Sequence, residues 1–286
     1  MTAPIALAHR AVIRVSGPER VGFLQGLLSN DLMSATGETS LYAALLTPQG
    51  KLLHDLIVAV HEDALLLEGE AARLTDLLQR LGRYKLRAKV VLEDASDRFE
   101  VLVLPDGDPE LDLPPWPGAS RLHAGGVAMI DPRHAALGLR LLVPRGALAA
   151  SGSADGWQRR RLELGIGEGA ADFGEGAMLA LEANLDHLNG VSFTKGCYVG
   201  QEVTSRSHHR GLIRRRLTPV RVHGPLPEPG TPVLTDGQEA GEFRAGRDGL
   251  ALALLRPDLI VGAEAPFTAG GIRLTPLPPV WERNAI

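Results

Sequence analysis

Residues 195–202 read Lys195-Gly196-Cys197-Tyr198-Val199-Gly200-Gln201-Glu202, and they hold the one cysteine of a 286-residue chain. A thiol becomes chemically useful as a thiolate, and a nearby cation or a helix N-terminus lowers its pKa. Lys195 supplies a candidate cation, and Gly196 permits a sharp turn. A helix is expected to begin at Val199–Arg206, with Cys197 at or near its start. The bland reading is a small buried hydrophobe, the usual fate of a lone cysteine.

Working outward, composition bounds the answer. Apolar residues make up 44% and charged residues 22%, with a net charge of −4, which is ordinary for a globular protein with a sizeable core. One cysteine excludes an intramolecular disulfide framework, and it excludes a cysteine-rich zinc or iron–sulfur site held by this chain alone. Met1–Val15 carries His9, Arg10 and Arg14 and does not read as a signal peptide. No segment approaches the roughly 20 apolar residues of a membrane span. The expectation is a cytoplasmic protein without a membrane partner.

Periodicity predicts a strand at Ala11–Val15 and a helix at Glu19–Leu28, with Leu24, Leu27 and Leu28 on one stripe. Apolar runs at Leu41–Leu46 and Leu52–Val60 flank Thr47-Pro48-Gln49-Gly50, a hairpin signal. A strand follows at Ala64–Leu67, and a helix carries Leu74, Leu77, Leu78 and Leu81. Lys85, Arg87 and Lys89 then alternate with Leu86, Ala88 and Val90, which predicts a strand with a basic outer face. Phe99–Leu104, Val127–Ile130 and Leu139–Val143 read as strands. Pro105–Gly118 reads as a surface loop, Asp155–Leu164 as a helix, Gly165–Gly176 as a glycine-acid loop, and Ala177–Leu188 as a further candidate helix. Beyond Arg216, short apolar runs at Leu217–Val222, Thr231–Leu234, Leu250–Leu255 and Ile272–Leu274 are cut by Gly and Pro, the texture of a small β-barrel. The domains expected are 1–210, in subunits of roughly 1–104 and 119–210, and a barrel over 211–286.

The octapeptide resembles the signature of the YgfZ-type folate-binding proteins, a branch of the superfamily named for the glycine-cleavage T-protein, an aminomethyltransferase. The resemblance is nearly end to end. Val15–Asp31, with Ser29-Asn30-Asp31, is similar to the family's opening helix and polar motif. Thr47–Val58 is similar to its hairpin, Tyr84–Val90 to a basic strand of the YgfZ branch, and Arg161-Leu162-Glu163 to the place where the T-protein holds the pterin ring. The resemblance implies an α+β, T-protein-like fold: two α+β units around a central channel, followed by a small C-terminal β-barrel. It implies tetrahydrofolate or a one-carbon derivative as cofactor. It also implies a role in assembly or maintenance of iron–sulfur enzymes, including those that modify tRNA, with those enzymes or assembly proteins as partners.

Site residues follow from the matched positions. Glu163 is the expected pterin ligand, since a carboxylate accepts paired N–H bonds from the 2-amino group and ring N3. Asp55, Asn30 and Arg206 join it as cofactor-binding residues. Asp55 lies on one strand face with Leu53 and Ile57, where an unpaired carboxylate is costly. In the T-protein the matching aspartate is regarded as catalytic, but here His54 stands where a second acid is common. Cys197 is the expected reactive thiol with Lys195 as charge partner. Gly196, Tyr198, Gly200, Gln201 and Glu202 shape the motif, with Gln201 and Glu202 orienting the loop or a partner. No metal site is assigned. Seven of the eleven residues Arg206–Arg216 are Arg or His; this run is a solvated face, or it meets the folate tail, a phosphate backbone or an acidic partner. The rival reading is a one-carbon transferase using Asp55 to handle a proton. An aromatic content of 4% supplies few stacking platforms and counts against direct RNA binding.

Overall fold

The computed structural model describes residues 3–263 and 265–283. The chain begins β1 (Ile5–Ala6), β2 (Arg10–Ser16), α1 (Arg20–Gln25), β3 (Leu41–Leu46), β4 (Leu52–His61), β5 (Ala64–Glu70) and α2 (Leu74–Lys85). It continues β6 (Val91–Asp94), β7 (Phe99–Leu104), β8 (Ser120–His123), β9 (Gly126–Ile130), β10 (Leu139–Pro144), α3 (Ala154–Leu164), α4 (Gly169–Phe173) and α5 (Gln201–His209). The last part is β11 (Arg216–His223), β12 (Pro232–Thr235), β13 (Gln238–Arg247), β14 (Leu250–Leu255), β15 (Phe267–Ala269), β16 (Ile272–Pro276) and α6 (Val280–Arg283).

Two five-stranded antiparallel sheets form, β3-β4-β5-β2-β6 and β1-β7-β10-β9-β8, and β11–β16 close a barrel. Strand alternation sorts each sheet into two faces. In the first sheet Ala11, Ile13, Val15, Leu56, Val58, Leu65 and Leu67 pack on the leucines of α1 and α2. Its other face carries Val12, Tyr42, Ile57 and Leu66, which meet Val101, Val103, Val127, Met129 and Leu142 of the second sheet. The two sheets are thus stacked with a shared core.

Most expected elements stand where periodicity placed them, and the exceptions have local causes. The basic strand at Lys85–Val90 does not form: α2 runs through Lys85, and Leu86 at φ +41° turns the chain. Strand β7, expected in the first unit, pairs with β10 and β1. Residues 177–188 form successive turns rather than a helix, and the glycine-acid loop contains α4. The longest barrel strand, β13, escapes apolar alternation because Gly241 and Gly246 replace side chains at crossings. A Cβ at Gly241 would lie 1.9 Å from the Leu254 carbonyl oxygen, so only glycine admits that approach.

Candidate functional site

Three of the stretches singled out from sequence converge on the octapeptide. The buried Lys195 sends Nζ to the carbonyl oxygens of Gln25, Leu28 and Asn30, at 2.8, 2.7 and 2.6 Å. These are carbonyls of the end of α1 and the turn beyond it, groups left without helical partners. Burial lowers the Lys195 ammonium to about 8, with Asp31 partly opposing. Asn30 is a bracket in the same corner: its Nδ2 donates to the carbonyls of Tyr42 at 2.7 Å and Asn189 at 2.8 Å. Downstream, Gly200 has φ +87°, and a Cβ there would sit 2.6 Å from the Thr47 carbonyl oxygen of the β3–β4 turn. The octapeptide is therefore pinned at both ends, to α1 through Lys195 and to the hairpin turn through Gly200.

Cys197 lies between the two pins and is exposed. The buried-hydrophobe reading fails. Two details of the expected thiol environment are corrected. Helix α5 begins at Gln201, four residues past the thiol, because Gly200 is its left-handed N-cap. Lys195 is engaged by three carbonyls rather than standing as a free charge partner. Gly196 has no positive φ, and a Cβ there would meet nothing within 4 Å, so no backbone demand requires it. Tyr198 is buried against Lys195, with its ring 5.2 Å from Nζ, and burial pushes its phenol up to about 12. Glu202 pairs with Arg206 one turn along α5, both on its solvent side.

Asp55 occupies a different place. It is buried between the sheets, where its oxygens accept from Arg10 Nη1 at 3.1 Å and the Gly169 amide at 3.0 Å. Arg10 belongs to a network that the sequence reading missed. Glu68 accepts from Arg10 at 2.7 Å and Arg140 at 3.0 Å; Glu168 accepts from Arg133 at 2.8 Å and Arg140 at 3.0 Å. Asp131 accepts from Arg133 at 2.8 Å and Arg140 at 3.3 Å. Four carboxylates and three guanidiniums leave one negative charge in excess, and His9 Nε2 lies 2.8 Å from Glu168. Burial alone would raise the Glu168 carboxyl, but Arg133, then Arg10, the His9 bond and Arg140 hold it well below the ordinary range. The signal was available: Arg10, Glu68 and Arg140 alternate onto the apolar inner faces of their strands, as Asp55 does.

The network surfaces in a cavity of about 440 Å³ whose lining includes His9, Arg10, Gln158, Arg161, Glu168 and Arg247. Glu163 does not line it. That carboxylate is partly exposed on α3 and pairs with Arg159 at 3.0 Å. The structure thus does not bring together the four residues expected to hold folate: Asp55 is sealed under Arg10, Glu163 is on α3, Asn30 brackets α1, and Arg206 is on the outer side of α5. The basic run likewise divides. Arg216 grips Asp186 through two bonds of 2.7 and 2.8 Å, and Arg215 reaches Glu182 at 3.1 Å, which ties the barrel to residues 181–186.

This architecture defines a protein of the T-protein fold class with a C-terminal barrel. It superposes on the aminomethyltransferase T of the glycine cleavage system from Bartonella henselae with a TM-score of 0.74, at 16% identity, over 97% of this chain and 85% of that one. Residues 214–284 match the family described as CAF17, C-terminal beta-barrel domain. The mitochondrial iron-sulfur cluster assembly factor IBA57 of Mus musculus is 39% identical over 284 residues, spanning 90% of this chain and 78% of the relative. The Homo sapiens protein of the same name is 40% identical over 286 residues, with the same spans. The chain belongs to the IBA57 family. The superfamily expected from the octapeptide is thereby reached in its coarser form, the T-protein fold. The cytoplasmic placement is corrected, because these relatives are mitochondrial proteins. Among the described residues no helix is long and apolar enough to cross a membrane.

Proposed function

We propose that this chain is an iron–sulfur cluster assembly factor in which Cys197 is the contact thiol for a cluster carried as cargo. The observation that carries the reading is an exposed single thiol on a loop fixed at both ends. One cysteine cannot enclose a cluster, so the remaining ligands come from a partner protein, and the cluster is bridged or handed on. Loop rigidity matters here, since a preorganised ligand loses little conformational freedom on binding. Membership of the IBA57 family supports the assembly role. Tetrahydrofolate dependence, a YgfZ-type role and clients that modify tRNA are finer parts of the same proposal.

The test is Cys197→Ala in cells lacking the endogenous protein. The variant folds with an unchanged unfolding midpoint, yet iron–sulfur enzyme activity is not restored. Full restoration would remove the thiol from the function.

Folate enters the proposal through the cavity beside Arg10, whose about 440 Å³ falls within the roughly 300–1,000 Å³ of small-molecule sites. The residues present do not form the expected pterin grip, so no chemical step is assigned to folate. Calorimetric titration with tetrahydrofolate decides this arm: Gln158→Ala, a change in the cavity lining, weakens binding, whereas Glu163→Ala does not. The reverse pattern would return the pterin to Glu163.

A further inference from the structure

The end of α2 carries a turn whose residue choice its backbone does not explain. The Ala88 amide donates to the Lys85 carbonyl at 2.7 Å, closing a four-residue turn. Leu86 holds its first central position at φ +41°, ψ −107°, the geometry of a type II′ turn, where glycine is favoured. A leucine there is strained, and its side chain is 89% exposed. A costly conformation that displays an apolar group to solvent marks a functional position. The turn is also held rigidly. The Lys89 amide donates to Glu19 at 2.9 Å, and a Cβ on Gly17 would lie 2.3 Å from the Lys89 carbonyl oxygen.

Charge gathers around this leucine. From Leu77 to Leu92 there are five cations and no acid, in a chain whose net charge is −4. Arg80 is spent on Asp76 at 2.7 Å. Among the described residues Arg83, Lys85, Arg87 and Lys89 make no ion pair. Arg83 and Tyr84 also line a groove of about 210 Å³ with Arg80, Leu53, Thr47 and Pro48. Thr47 is the residue against which Gly200 packs, three positions from Cys197. The basic turn, the groove and the cysteine loop are thus linked through one hairpin turn.

We infer that this surface docks an acidic segment of the protein that meets Cys197, with an apolar side chain in the groove and carboxylates on Arg83, Lys85 and Arg87. The inference rests on the reading of Cys197 as a partner-facing thiol. An acidic protein fits better than a bilayer, because one leucine inserts too little apolar surface to anchor a protein. An acidic partner would be steered by the basic field and held in register by the groove.

The probe is a fluorescent twelve-residue peptide of alternating Glu and Leu, with phosphatidylserine vesicles and single-stranded RNA as competitors. The peptide binds saturably and weakens with salt. R83E/K85E/R87E weakens it at least tenfold, and C197A leaves it unchanged. Leu86→Gly relieves the turn, so it folds at least as stably as the parent, yet it binds the peptide less well. Equal affinity in the charge-reversed variant, or preference for vesicles or RNA, would overturn the inference. In cells the charge-reversed variant lowers iron–sulfur enzyme activity and C197A abolishes it. Loss with C197A alone leaves the thiol reading standing and removes this surface. Full activity with C197A removes the thiol reading, and the peptide titration then decides the surface by itself.

Discussion

Two glycines of the octapeptide should respond oppositely to the same substitution. Gly200→Ala places a Cβ on a residue at φ +87°, 2.6 Å from the Thr47 carbonyl oxygen and 3.0 Å from the Leu46 Cβ. The left-handed backbone costs a non-glycine residue roughly 1–2 kcal/mol. The overlap falls on backbone, which cannot rotate aside, and forced repacking typically costs about 1–3 kcal/mol. Together Gly200→Ala should destabilise by about 2–5 kcal/mol, a large fraction of the roughly 5–15 kcal/mol that holds a native protein. Gly196→Ala meets no atom within 4 Å and no positive φ. It should be neutral or gain up to about 1 kcal/mol by restricting the unfolded chain. Chemical denaturation of both variants beside the parent is the assay. Equal midpoints for the two variants would refute the claim that Gly200, and not Gly196, fixes the loop against the hairpin.

Three further outcomes follow from the geometry. Glu168→Gln breaks a buried network at its most connected carboxylate and should cost about 3–5 kcal/mol. Because its folded carboxyl titrates well below the ordinary value, the parent's advantage is full above pH of about 4.3 and shrinks as pH falls through the folded value; denaturation across pH 3–7, as an order-of-magnitude window for such groups, measures it, and a constant difference would contradict the charge assignment. His54 is buried at 2.8 Å from Asp76, and burial outweighs that partner to lower its pKa. The unfolded chain then takes up the proton first, so stability falls as pH drops below about 6.5, and His54→Gln should flatten that slope in melts across the range. Arg216→Ala loses two bonds to Asp186 and one to the Leu181 carbonyl and should cost about 1.5–3 kcal/mol, whereas Arg214→Ala should stay within about 0.5 kcal/mol; equal effects would mean that the basic run is one solvated face.

Element type was legible wherever a single period governed a segment. The alternation in Leu52–Val60 gave both the strand and the face that Asp55 occupies. It stopped being legible where tertiary contacts set the backbone. At 85–90 the alternation of basic and apolar residues imitates a strand, yet the segment is a turn folded onto Gly17. At β13 close backbone crossings replace the apolar residues that mark a strand. The site was legible as motifs but not as neighbours. Nothing in the spacing of Ser29-Asn30-Asp31 and Lys195 says that one amine would bind carbonyls on the other stretch. Charge on a strand's apolar face was the signal for the buried network, and it was read at Asp55 but not at Arg10, Glu68 or Arg140.

The buried network bears directly on the choice between a transferase and an assembly factor. A group that handles protons must come within hydrogen-bond reach of the substrate. Both oxygens of Asp55 are engaged, one by a guanidinium and one by an amide. Access would require Arg10 to swing out of its bonds to Glu68 as well, which disturbs Arg140 through the same carboxylate. Within this fold Asp55 is held in place by Arg10 and the Gly169 amide. The thiol of Cys197 instead stands exposed at the surface, on the loop to which α1, the Asn30 corner and the hairpin turn all contribute. Function is argued from sites rather than folds, and the burial of Asp55 beside the exposure of Cys197 is what supports the proposed assembly role over the transferase reading.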